Sequence, residues 1–152
     1  MFRIHRDVRF SKDKSPYKTH AGAHFPLGGK GGHGPGYYLH LEPGECFVAG
    51  GMWMPEPEVL QQIRQRIADK PSEWAKAHGK LDHSEETLKR PPRGFDPDHP
   101  MIEDIKRKSF TSSVRLTDKQ VTGPNLMTTF VKSCDRISPL MRFLATAAGV
   151  AW

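Results

Sequence analysis

The chain has 152 residues, a formal net charge of +6, and a 36% apolar fraction that includes three Trp and eight Phe. This length suits one domain with a hydrophobic core, while thirteen Pro and fourteen Gly argue against a bundle of long helices. No apolar run approaches the roughly 18 residues that cross a bilayer, and no secretion signal is recognisable, so we expect a cytoplasmic protein with no membrane partner.

The positive charge is concentrated at the amino end. Residues 1–30 contain seven Lys or Arg against two Asp, a net charge of +5, and the rest of the chain adds only +1. Such asymmetry favours an anionic partner at one end of the molecule. A solvated basic surface has the same pattern, so the charge alone does not decide between them.

Three early segments have the pattern of β-strands. Residues 2–10 alternate between apolar and polar side chains, with Arg6 on the apolar side, where we expect it to be buried against a partner. Residues 37–42 and 46–53 predict two strands joined at Pro43-Gly44, with Tyr38 and His40 facing one side. The glycine-rich residues 27–36 lack the Lys-Ser/Thr ending of a phosphate-binding loop and predict a mobile connection.

Helical spacing dominates the later part of the chain. We predict helices over residues 57–68, around Trp74, over 98–108 with Asp98 as cap, and over 125–150, and a strand over 109–116. Pro139 predicts a kink, or a restart of the last helix at Ser138. Strands that precede helices indicate an α+β fold, a single domain over residues 1–152 with a mainly antiparallel sheet and helices concentrated in the C-terminal two thirds.

Residues 3–22 form a dense basic motif, RxxRDxRFxxDKxPYKxxxG. This motif, with later stretches at residues 36–44, 53–55, 93–95 and 99–110, resembles a bacterial family, the domain of unknown function 2461, which is also found within longer fungal proteins. The resemblance covers nearly the whole chain, but it implies no particular biochemical activity. Members of that family usually have a helical segment before the motif, whereas this sequence begins directly on it, which indicates either a truncated or mis-assigned start or a shortened member. If those helices are missing, we expect the apolar surface that they would cover to be exposed.

The basic motif is the main chemical signal. Arg offers a planar fork for phosphate or carboxylate, and Lys adds a mobile point charge. The candidate anion-binding residues are Arg3, Arg6, Arg9, Lys14, Tyr17 and Lys18. Asp7 and Asp13 are candidate orienting carboxylates. We therefore predict a module that binds phosphate, a nucleotide or the backbone of a nucleic acid. Two alternatives stay open: an interaction protein in which the cluster is an internal ion-pair network, and an enzyme that acts on a small phosphorylated metabolite.

Other reactive residues give weaker signals. His20 and His24 stand four apart, but no helix is predicted there, so we expect no metal site and no cofactor. Cys46 and Cys134 have no metal-type spacing and are expected to be reduced, buried thiols. Glu42 is expected to be an exposed acid of the turn. The sequence leaves the ligand and the oligomeric state open.

Overall fold

The computed structural model of the chain describes His5, Arg9, Lys12 and residues 14–28, 34–79 and 87–152. Its strands are β1 (Ala21–Pro26), β2 (Gly36–Leu41), β3 (Phe47–Met52) and β4 (Phe110–Arg115). Its helices are α1 (Pro57–Asp69), α2 (Pro71–Ala77), α3 (Ile102–Ile105), α4 (Asp118–Thr122) and α5 (Leu126–Ala147). The strands form one antiparallel sheet in chain order. The helices of the described residues all follow β3, three of them before β4 and two after it. The α+β prediction is therefore confirmed. No helix in the described ranges is both long and apolar enough to span a bilayer.

The β2–β3 hairpin forms as its sequence predicts. The backbone N–H of Glu45 donates to the carbonyl of Glu42 at 2.9 Å, and Gly44 has a φ of +80°. A positive φ at the residue after Pro43 is the conformation that a type II turn requires. The turn sets the register in which His40 pairs with Phe47, and this register decides which side chains share a face of the sheet.

The two faces of the sheet have different surroundings. Tyr37 and Leu39 point towards α5, where the Tyr37 hydroxyl donates to the Cys134 carbonyl at 3.2 Å. Residues on the opposite side form what we call the open face. In rows across β1 to β4, the open face comprises Gly22, His40, Phe47 and Arg115, then His24, Tyr38, Ala49 and Ser113, then Pro26, Gly36, Gly51 and Thr111.

The hydrophobic core lies between the sheet and the helices. Trp74 is completely buried, and its ring meets the edge of Phe110 at a centroid distance of 5.8 Å. Its indole N–H donates to Asp104 at 2.8 Å, so the one polar atom of this large side chain is satisfied. Ile63 and Ile67 of the predicted α1 stripe are also fully buried. These contacts fix the helical layer on one side of the sheet.

Two glycines in β3 allow close packing on both sides of the strand. A Cβ atom at Gly50 would lie 2.8 Å from Ile137 of α5. Gly51 has a φ of +140°, and a Cβ atom there would collide with the carbonyl oxygen of Phe110 in β4. Neither position therefore accepts a side chain without displacement of a neighbouring element.

Several local predictions differ from the structure. Strand β1 and helix α4 were not predicted. The helix predicted over 98–108 is limited to Ile102–Ile105, because Pro100 disfavours helix at the residue before it and Asp96, not Asp98, accepts a backbone N–H at the preceding turn. The last helix runs through Pro139, so the restart at Ser138 is wrong.

The predictions for the two cysteines and for the first strand are confirmed only in part or are not tested. Both cysteines are free, but Cys134 is only partly buried. The strand predicted over residues 2–10, with Arg6, lies outside the described residues except for His5 and Arg9. His5 forms an isolated antiparallel bridge with Tyr17.

Alanine substitutions at Gly51 and Gly44, which both have a positive φ, test this packing. We expect Gly51→Ala to lower the free energy of unfolding by about 3 kcal/mol or more, because a backbone penalty adds to a collision with β4. Gly44→Ala is the matched control, since its φ is also positive but no atom lies within 4 Å of the added carbon. It should cost about 1–2 kcal/mol. Equal losses in urea unfolding experiments would show that the β3–β4 contact is looser than described.

Candidate functional site

A cavity of about 620 Å³ lies over the open face. It is lined by His24, Gly36, Tyr38, Phe47, Ala49, Gly50, Gly51, Trp53 and Thr111. An adjoining cavity of about 320 Å³ shares His24, Gly36, Gly51 and Trp53 and extends to the start of α1 at Val59. Together they form a continuous concave surface, and the larger cavity has the volume typical of small-molecule sites.

The cavity exists because small residues form its floor. Gly36, Ala49 and Gly51 are neighbours in the pairing of β2 with β3. The imidazole of His24 lies against Gly36, where a Cβ atom would collide with its Nε2. A Cβ atom at Gly22 would lie 2.6 Å from the Tyr38 hydroxyl. The packing thus explains the glycine at the end of the basic motif, because a residue without a side chain lets the Tyr38 ring lie on β1.

The rim of the cavity is formed where β3 ends. Trp53 is 73% exposed, so a large aromatic surface faces solvent beside the cavity. Met54, the next residue, has a φ of +45°, and its N–H donates to the Ser109 hydroxyl at 3.0 Å. A non-glycine residue in this conformation is strained. Such strain is often found at binding sites.

A polar cluster lies at the other end of the open face. Nε2 of His40 is 3.2 Å from Oε2 of Glu42, and its Nδ1 is 3.2 Å from the Tyr38 hydroxyl. The His40 ring is stacked between His20 and Phe47, each with a centroid distance of 4.7 Å. Both nitrogens and both faces of His40 therefore have partners. We refer to His20, His40 and Glu42 as the His20–His40–Glu42 cluster.

Glu42 is half-buried and bonded, so the prediction of an exposed turn acid is wrong. A hydrogen bond from Thr19 lowers the pKa of the Glu42 carboxyl below its ordinary value, and the bond to His40 acts in the same direction. Glu42 is thus a carboxylate at neutral pH. The ligand atoms of the whole cluster lie within 4.8 Å of one another, a spacing that can accommodate a metal ion.

The structure places only part of the predicted anion site. Arg9, Lys14 and Tyr17 are exposed, and Lys18 is partly buried. The Tyr17 ring lies 5.3 Å from that of His5. The other four candidates, Arg3, Arg6, Asp7 and Asp13, lie outside the described residues, so the convergence of the basic cluster stays a prediction.

The carboxyl end of the motif leads directly into the open face. Gly22 pairs with His40 across β1 and β2, and His20 stacks on that same imidazole. From the sequence, His20 was considered only together with His24. In the structure, His24 pairs with Tyr38, nearer the middle of the sheet. The feature of the sequence that indicates this cluster is the two-residue spacing of His40 and Glu42, which places both side chains on one side of a strand end.

The open face and the whole basic motif fall within one region of family similarity. The family model described as "Conserved hypothetical protein (DUF2461)" matches residues 1–143. The chain belongs to this family. Comparisons with curated proteins and with solved structures find no match. The DUF2461 match thus confirms the resemblance seen in the motif, and it includes all four strands that build the open face.

The hydrogen bond from Thr19 can be tested through the pKa of Glu42. We expect Thr19→Val to raise this pKa towards the ordinary value, because it removes the largest cause of the shift. A group with a depressed folded-state pKa stabilises the fold above its ordinary pKa, and this contribution is lost as the pH falls through the folded-state value. Thr19→Val should therefore be less stable than wild type at neutral pH, with the difference vanishing in acid.

Carboxyl NMR titration in the presence of a chelator measures the pKa, and urea unfolding at about pH 7 and about pH 3 measures the stability. Thr111→Val, on the open face but away from Glu42, is the control and should leave the Glu42 titration unchanged. A Glu42 curve that is the same in all three proteins would contradict the contact.

Proposed function

We propose that this chain is a binding module for a small ligand that has both a planar ring and an anionic group, a combination typical of nucleotides. The observation that carries the proposal is the cavity of about 620 Å³ over the open face, with its glycine and alanine floor and aromatic walls. The ring lies on the open face, and the anionic group meets the cations of the basic motif.

The walls of the cavity suit a flat, partly apolar group. Tyr38, Phe47 and Trp53 offer ring faces or edges, and aromatic side chains bind planar rings by stacking. His24 adds a nitrogen that can donate or accept a hydrogen bond at the opposite side. Because Gly51 carries no side chain and Ala49 only a methyl group, a ring can approach the backbone of β3 closely.

Two cationic residues belong to the segments that form the polar end of the open face. Lys18 precedes His20 by two residues, and the His20 ring stacks on His40. On the opposite edge, Arg115 pairs with Phe47 and donates to the Gly44 carbonyl at 2.7 Å. Lys and Arg are the side chains that most often bind phosphate. An anionic group at this end of the face would meet positive charge from Lys18, which precedes β1, and from Arg115 of β4.

A larger side chain in the cavity floor should block the ligand. We expect Ala49→Leu to weaken binding of AMP or ATP by at least about tenfold, equivalent to ~1.4 kcal/mol, because the leucine occupies the space for the ring. Ala75→Leu, the same change at an exposed position of α2, is the matched control and should bind as wild type does. Isothermal titration calorimetry measures the affinities. Equal affinity in both variants, or no binding of either nucleotide by the wild type, would overturn the proposal.

Charge variants test the anionic group separately. The double variant Lys14→Ala with Lys18→Ala should weaken nucleotide binding by about tenfold or more, since charged hydrogen bonds contribute roughly 1.5–3 kcal/mol each. Adenosine, which lacks the phosphate, should bind both proteins equally. Lys119→Ala with Lys132→Ala removes the same charge from exposed helical positions and should have no effect.

A short oligonucleotide provides the comparison with nucleic acid. Its affinity should fall with salt by a log–log slope of about −0.7 per phosphate contacted if the backbone is the true ligand. A steep slope combined with weak nucleotide binding would identify single-stranded nucleic acid, and not a nucleotide, as the ligand. A lower melting temperature of the Lys14/Lys18 variant with unchanged affinity would favour the internal ion-pair alternative instead.

A further inference from the structure

We infer that His20, His40 and Glu42 form a binding site for a divalent transition-metal ion, with Zn²⁺ as the best match. The site lies at the end of the open face, beyond the aromatic cavity, and it needs no organic ligand. This inference therefore goes beyond the proposed function and does not rest on it.

The spacing of the donor atoms supports the site. Tetrahedral Zn²⁺ with bonds of about 2.0–2.1 Å places neighbouring ligand atoms about 3.3 Å apart. Nε2 of His40 and Oε2 of Glu42 are already 3.2 Å apart, and the His20 donor completes a set that lies within 4.8 Å. His20 lies in the bend just before β1, and its side chain would turn to bring all three donors to bonding distance.

Two of the three donor residues have hydrogen-bond partners outside the cluster. With Nε2 on the metal, the proton of neutral His40 lies on Nδ1, from which it can be donated to the Tyr38 oxygen at 3.2 Å. The Thr19 hydroxyl bonds to the Glu42 carboxylate. Metal-binding histidines and carboxylates characteristically have such outer partners, which fix the tautomer and the direction of the ligand.

The chemistry of the donors selects the ion. Two imidazoles and one carboxylate suit Zn²⁺ and its transition-metal neighbours, whereas Mg²⁺ and Ca²⁺ prefer oxygen ligands throughout. Three protein ligands leave a fourth position for water or for an oxygen of a bound molecule. The inference departs from the sequence-based expectation of no metal, because His20 is paired with His40 and not with His24.

Zinc titration of the purified protein tests the site. Isothermal titration calorimetry with ZnCl₂ should show one ion per chain. His20→Ala and Glu42→Gln should each weaken binding by about tenfold or more. His24→Ala removes a histidine from the same face outside the cluster and should bind as wild type does. Ala49→Leu, which blocks the neighbouring cavity, should also retain the zinc affinity, so this test is independent of nucleotide binding.

Cobalt spectroscopy and a folding control complete the experiment. Co²⁺ in a four-coordinate site gives intense visible bands, and these should appear in wild type and be lost in Glu42→Gln. Thermal unfolding followed by circular dichroism in EDTA should show that each variant is folded before titration. Absence of stoichiometric zinc binding by the wild type, or equal losses in His20→Ala and His24→Ala, would overturn the inference and leave the cluster as a hydrogen-bonded contact between β1 and β2.

Discussion

Two consecutive glycines in β3 let the two faces of the sheet serve different purposes. Gly50 allows Ile137 of α5 to approach the strand closely, so the core is sealed on that side. Gly51 allows close contact with β4 and leaves the floor of the cavity without a side chain. Because neighbouring residues of a strand point to opposite faces, one dipeptide produces both effects. A side chain at Gly50 would disturb the core, and one at Gly51 would displace β4 and with it the Thr111 wall of the cavity.

The pairing of β1 with β2 joins the basic motif to this surface. Gly22 is opposite His40, and this register carries Thr19 and His20 to the Glu42 end of the open face. A shift of one residue would turn His24 towards α5 and remove His20 from its stack, since side chains alternate between the faces. The last residues of the motif therefore form part of the open face.

The sequence predicted the parts of the fold where the local pattern is strong. Alternation in residues 37–42 and the Pro43-Gly44 turn identified the central hairpin, and the apolar spacing of Ile63 and Ile67 identified α1. Strand β1 was missed because Ala21–Pro26 has small and polar residues without an apolar alternation. Without β1 there was no reason to place His20 beside His40, so the polar cluster depended on tertiary pairing that a single sequence does not encode locally.

The order of the strands has a consequence for how the chain assembles. The β2–β3 hairpin is closed by a short turn, whereas β3 pairs Met52 with Phe110 only after α1, α2 and α3 have been traversed. Contacts between distant parts of a chain form more slowly than local ones. We therefore expect the pairing that brings Thr111 to the cavity to form after the β2–β3 hairpin. A molecule that spans the hairpin and β4 would hold this late contact in place, so occupancy and completeness of folding are thermodynamically linked.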